Sequence, residues 1–231
     1  MPQLENQWAI VNAQIAKACQ SYQRNRDQVQ LLAVSKTHSS ERVKAFYDLG
    51  QKAFGENYLQ EALPKINELK ECEIEWHFIG HVQRNKTKLL AENFAWVHGV
   101  DRLIIAERLS SQRPENLAPL NICIQVNVDG QESKDGCSPD EVPALVATIS
   151  ALPHLRLRGL MVIPAPNNTK AFAEAKKLFE EVKQHHQESE YWDTLSMGMS
   201  GDLDAAVEAG STMVRIGTAL FGARDYGQKS D

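Results

Sequence analysis

The sequence predicts an α/β fold: a single (β/α)8 TIM barrel with an extra helix at its N-terminus. Three observations point there. Eight apolar, strand-like runs alternate with helix-like segments, the signature of a parallel sheet. Eight such units fit within 231 residues, an ordinary length for a closed barrel. The first strand runs into "SKTHSS" (35–40), without the G-x-G-x-x-G turn common after the first strand of an open doubly wound sheet. No linker or low-complexity stretch interrupts residues 1–231, which read as one domain.

The elements follow in order. Leu4, Trp8, Val11, Ile15 and Cys19 recur at helical spacing and form an opening amphipathic helix. Strands are predicted at Gln30–Lys36, Lys52–Glu56, Ile74–Ile79, Ala95–Val100, Asn121–Val128, Leu155–Ile163, Asp193–Met199 and Met213–Gly217. Between them, Ser39 or Ser40 can cap a helix carrying Val43, Phe46 and Leu49, with Gly50 as its stop. Glu56-Asn57 leads into a helix with Leu59, Leu63 and Ile66 inward, and "QRNKTK" (83–88) reads as a solvated helix start. Asp101 can cap a helix with Leu103, Ile104 and Leu109. Ser138-Pro139 opens another, since proline is tolerated in a first turn. Phe172, Ala175, Phe179 and Val182 form one face of the next, and Leu203 to Ala209 makes a short helix ended by Gly210. In the fifth strand Ile122, Ile124, Val126 and Val128 share one face. Gln125 and Asn127 share the other, assigned to the barrel interior.

A net charge of −5 argues against a broad electrostatic grip on nucleic acid or an anionic membrane. No apolar run reaches membrane-spanning length, and "MPQLENQWAI" lacks the basic and apolar regions of a signal peptide. The four cysteines form no C-x-x-C pair and no zinc-like cluster with histidine, so no metal is expected and the cytoplasm is the expected location. No long heptad or exposed apolar helix declares itself, so a monomer is expected.

In barrels the site forms at the C-terminal ends of the strands. Lys36 stands there after the apolar run Leu31–Val34. One account is a solvated lysine closing a strand. The other is a desolvated amine able to join a carbonyl. "SMGMSGD" (196–202) places Ser200 and Gly201 after the seventh strand, and "RIGTALFG" (215–222) places Gly217 and Thr218 after the eighth. Barrels commonly bind phosphate with those two loops. A phosphate site facing a strand-end lysine points to pyridoxal phosphate or a phosphosugar. Arg215 shares a strand face with Gly217 and is either half of a structural ion pair or the partner of a cofactor ring nitrogen. His77 and His81 read as satisfied core residues, Met161 as packing, and Lys134 as solvated loop charge.

Seven motifs in order then resemble one family. They are "AVSKT" (33–37), "FGENYLQEA" (54–62), "WHFIGHVQRNK" (76–86), "SKDG" (133–136), "LRGLMVIP" (157–164), "LSMGMSGD" (195–202) and "GSTMVRIGTALFG" (210–222). Nearly end to end, the chain is similar to the YggS/PROSC family of pyridoxal phosphate homeostasis proteins. His81, Val82 and "WVHGVD" (96–101) depart from the commoner family forms. The resemblance implies a barrel like the N-terminal domain of alanine racemase (fold type III), with pyridoxal 5'-phosphate (PLP) held as an internal aldimine on Lys36. It implies that Ser200, Gly201, Gly217 and Thr218 hold the phosphate, that Arg215 approaches the pyridine nitrogen, and that Asn57 and Met161 line the ring. Storage, buffering or delivery of PLP is implied, with PLP-dependent apoenzymes as recipients.

The alternative is an amino-acid racemase using the same lysine. Racemisation needs acid/base groups on both faces of the substrate carbon, and two-domain racemases supply one from a second domain. After the barrel this sequence offers "ARDYGQKSD" (223–231), with Tyr226 its only tyrosine. A Schiff-base aldolase acting on a phosphosugar is a third reading.

Overall fold

In the computed structural model, which describes residues 2–131 and 134–222, the eight strands close in sequence order into one parallel barrel. They are β1 (Gln30–Val34), β2 (Ala53–Glu56), β3 (Glu75–Phe78), β4 (Trp96–Val100), β5 (Leu120–Val126), β6 (Leu155–Val162), β7 (Thr194–Ser196) and β8 (Met213–Ile216). The helices are α1 (Pro2–Ser21), α2 (Ser40–Asp48), α3 (Leu59–Glu68), α4 (Thr87–Asn93), α5 (Leu103–Gln112), α6 (Val142–Ile149), α7 (Lys170–Val182), α8 (Leu203–Glu208) and α9 (Thr218–Phe221). Tyr226, Glu132 and Ser133 lie outside the described residues.

Alternation along the strands sorts side chains into two apolar layers. Leu31, Ala33, Phe54, Phe78, Ile122, Ile124 and Val214 face outward and pack with the helices. Leu32, Val34, Ala53, Ile79, Trp96, Cys123, Met161 and Met213 fill the interior. Burying each larger side chain stabilises the fold by about 1.5–3 kcal/mol. The opening helix has a physical reason: α8 and α9 have only six and four residues. Val11, Ile15, Ala18 and Cys19 of α1 provide the missing apolar cover, and Tyr22 and Arg24 fasten its end to Asp204 and the Val207 carbonyl, each at 2.8 Å.

All eight predicted strands are present, but several leave the ladder before their predicted ends. Lys36, Val128, Met199 and Gly217 lie beyond the last paired residues. Thr37 (φ +66°) and Gly198 (φ +95°) turn two of these segments out of the sheet. Asp101 does not cap α5. The N-cap is Arg102, and the buried face runs Ile105, Ala106, Leu109, Ser110, with Ile104 exposed. In α3 the buried positions are Leu59, Ala62 and Lys65, while Leu63 and Ile66 are only partly buried.

Candidate functional site

Lys36 follows Val34 by two residues at the barrel mouth and is half-buried. The turn that holds it is built from both sides. Before it, the Ser35 N–H donates to the Gly55 carbonyl at 2.9 Å. After it, Thr37 adopts a left-handed conformation, unfavourable for a β-branched residue by about 1–3 kcal/mol. Glu61 of α3 holds it there by accepting the Thr37 N–H at 2.8 Å. His38 stacks on Phe221 of α9, with ring centroids 4.8 Å apart, and Arg42 donates to the Phe221 carbonyl at 2.6 Å. The lysine turn is thereby fixed to the segment carrying Gly217 and Thr218.

Gly217 lies against Val34: a Cβ there would stand 3.4 Å from the Val34 carbonyl oxygen. This follows from the β1–β8 pairing, in which Ala33 faces Ile216. Ser200 and Gly201 sit in an exposed turn whose ends are clasped. The Met199 N–H donates to Asp202 Oδ1 at 2.6 Å, and the Asp202 N–H donates to the Met199 carbonyl at 3.2 Å.

Arg215 projects into the interior and is buried. Among the described residues it makes no ion pair, which removes the structural ion-pair account. Instead Nη1 donates to Ser196 Oγ and Nη2 to the Val162 carbonyl, each at 3.0 Å. Burial lowers its pKa to about 10, so it stays charged near neutrality. The bond to Val162 places Arg215 at the end of β6 beside Met161, which is fully buried. Asn57 follows β2, and its Oδ1 is buried without a hydrogen-bond partner. Gly80 allows Asn57 its place, because a Cβ there would lie 2.2 Å from the Asn57 carbonyl oxygen. Gly80→Ala is therefore expected to displace Asn57 and to cost about 1–3 kcal/mol, measured by urea unfolding.

The structure adds groups that the sequence reading missed. Glu56 points outward from β2 and is fully buried beneath α3. Lys65 Nζ donates at 2.8 Å both to Glu56 Oε1 and to the Ser35 carbonyl, and Ser35 Oγ donates to the same carboxylate at 2.6 Å. Burial raises the Glu56 pKa, against the pull of Lys65 and Ser35. A charged residue recurring on the buried face of α3, after Leu59 and Ala62, was the available signal. Lys134 is not solvated loop charge: its ammonium donates to the buried Asp129 carboxylate at 2.6 Å and to the Ile163 carbonyl at 3.1 Å. His77 is a satisfied core residue. His81 is exposed and pairs with Asp135 at 2.9 Å, because it stands beyond the end of β3.

The Lys36 turn and the Gly217-Thr218 segment thus meet at the barrel mouth, with Arg215 buried in the interior and the Ser200-Gly201 turn exposed after β7. Comparisons with known proteins show the family. The family model "Alanine racemase, N-terminal domain" matches residues 10–225. A pyridoxal phosphate homeostasis protein of Pseudomonas aeruginosa is 53% identical over 224 residues, covering 95% of each chain. The structure of PipY from Synechococcus elongatus with PLP bound is 35% identical, covers 90% of this chain and all of that one, and superposes with a TM-score of 0.77. Alanine racemase from Corynebacterium glutamicum shares the fold at 18% identity (TM-score 0.64), with 85% of this chain matching 57% of that one. The chain belongs to the alanine racemase N-terminal domain family and, within it, to the pyridoxal phosphate homeostasis proteins.

Proposed function

We propose that this chain binds pyridoxal 5'-phosphate and serves its intracellular homeostasis, holding the cofactor and passing it on without turning over an amino-acid substrate. The observation that carries this is the tie between the Lys36 turn and α9, which sets a half-buried amine beside the Gly217-Thr218 loop. The residues present fit the group on two further counts: the orphaned Asn57 Oδ1, and a buried guanidinium with no carboxylate partner among the described residues.

When bound, the cofactor supplies an aldehyde carbon to which a primary amine can join. Lys36 offers that amine. Backbone N–H groups of Ser200, Gly201, Gly217 and Thr218, with the serine and threonine hydroxyls, would hold the phosphate. Arg215 would face the ring nitrogen and, keeping its own proton, would leave that nitrogen uncharged and the cofactor a poor electron sink. Asn57 and Met161 would line the ring. Apoenzymes that use the cofactor are the proposed recipients, and a cytoplasmic monomer is the proposed form. Four free cysteines fit a reducing compartment. No helix among the described residues is long and apolar enough to cross a membrane.

The test is a pair of titrations of cofactor-free protein, one with pyridoxal phosphate and one with pyridoxal. Two charge-assisted phosphate contacts predict roughly hundredfold weaker binding of pyridoxal. Equal affinities would remove the phosphate site. Loaded protein incubated with L-alanine is expected to yield no D-alanine above the blank, and steady formation would make it a racemase.

A further inference from the structure

Across the barrel interior runs a chain of four hydrogen bonds that no step above uses. Glu75 Oε1 lies 2.9 Å from His77 Nε2, and His77 Nδ1 lies 2.9 Å from His98 Nε2. His98 Nδ1 lies 3.0 Å from Ser196 Oγ, which also receives Arg215 Nη1 at 3.0 Å. The chain crosses strands β3, β4, β7 and β8. His77, His98, Ser196 and Arg215 are buried, whereas the Glu75 side chain is 42% exposed at the start of β3, the end of the barrel away from Lys36.

Hydrogen-bond chemistry fixes the direction of every link. Burial pushes Glu75 up, but His77 and its other partners outweigh this and hold it below the usual range, so it is an acceptor only. Burial keeps both imidazoles neutral, with one donor and one acceptor each. His77 Nε2–H must then donate to Glu75, which leaves Nδ1 to accept from His98 Nε2–H. His98 Nδ1 in turn accepts the Ser196 hydroxyl, and Ser196 oxygen accepts Arg215. Every donor points toward Glu75, so the links polarise one another.

We infer that Glu75 is the remote counter-charge of Arg215, and that His77, His98 and Ser196 are positioning residues that orient the guanidinium and hold its proton in place. This rests on the proposed function only where Arg215 meets the ring nitrogen; the chain itself exists without cofactor. Other groups face it. Arg158, paired with Asp193, lies over the Trp96 ring that stacks on His77. Asp202 and Cys123 act on Arg215 through space.

The test begins with cofactor-free protein labelled with 15N at histidine and 13C at arginine. Imidazole shifts should place both His77 and His98 in the neutral Nε2–H form at pH 7. A proton on Nδ1 of either ring would overturn the inference. Glu75→Gln keeps the acceptor shape and removes the charge. It should lower the Arg215 titration midpoint by on the order of half to one pH unit, and an unmoved midpoint would also overturn it. Ser196→Ala should weaken binding of pyridoxal phosphate about tenfold, with the pH dependence of the bound cofactor's visible absorption altered. Unchanged affinity and spectrum would refute the positioning role. Failure of the unmutated protein to bind pyridoxal phosphate would instead refute the proposed function, and the resonance measurements alone would then decide on the chain.

Discussion

Lys36→Ala is expected to abolish the covalent capture of pyridoxal phosphate. Protein mixed with the cofactor and reduced with borohydride should carry one pyridoxyl group, mapped to Lys36 by peptide mass spectrometry. The variant should carry none above the background of surface lysines. The expectation is all-or-none because the turn selects one amine. Glu61 clamps Thr37 in a conformation it would not adopt alone, and the His38–Phe221 stack holds the turn against α9. Lys65, which reaches the same turn, has its ammonium committed to Glu56 and the Ser35 carbonyl. Labels scattered over many lysines, or capture that persists in Lys36→Ala, would sink the assignment. The fold should survive, since Lys36 is not a member of either apolar core layer.

Lys65→Met is expected to be the most destabilising single change at the site, at about 3–5 kcal/mol, because it leaves the Glu56 carboxylate buried without its counter-charge. Urea unfolding would measure it. Adding Glu56→Gln should restore much of the loss, since a neutral amide no longer requires a cation. The pH dependence gives a second signature. The folded-state pKa of Glu56 is already raised by burial, and losing Lys65 raises it further. A carboxyl raised in the folded state binds more protons there than in the unfolded chain, so stability falls as pH rises through the interval between the two values. The variant should therefore be relatively most stable near pH 4 and weakest near neutrality. A deficit independent of pH between those limits would mean that packing, and not charge, is what Lys65 supplies.

Much of this architecture is legible in the sequence because strand order in a barrel follows chain order. Eight apolar runs, read in sequence, already place Lys36, Asn57, Arg215 and Gly217 at one mouth. The small residues after the last two strands are equally readable, and they form the loops proposed to hold the phosphate. The residues that escaped notice are paired ones. Glu56 reads as the end of a strand, and Lys65 carries no signal that singles it out. Only the packing of α3 on β2 makes them a buried pair. His98 and Ser196 were invisible for the same reason, lying 98 residues apart in the chain and 3.0 Å apart in space. Strand alternation says which face a side chain takes but not which neighbour it meets. The missed strand ends have a local cause in backbone turns that hydrophobic patterning does not encode.

The barrel closes where β1 meets β8, and the lysine and the Gly217-Thr218 loop lie on opposite sides of that seam. During synthesis the lysine therefore emerges about 180 residues before the loop it needs. A nascent chain presents an amine but no anion site. The two are brought side by side only when the last strand docks, the longest-range pairing in the fold and the slowest kind to form. On the proposed site, ligand capture and ring closure are then the same event. A cofactor that favours the closed form stabilises the finished molecule by mass action, so vitamin supply and the yield of completed barrels become coupled quantities.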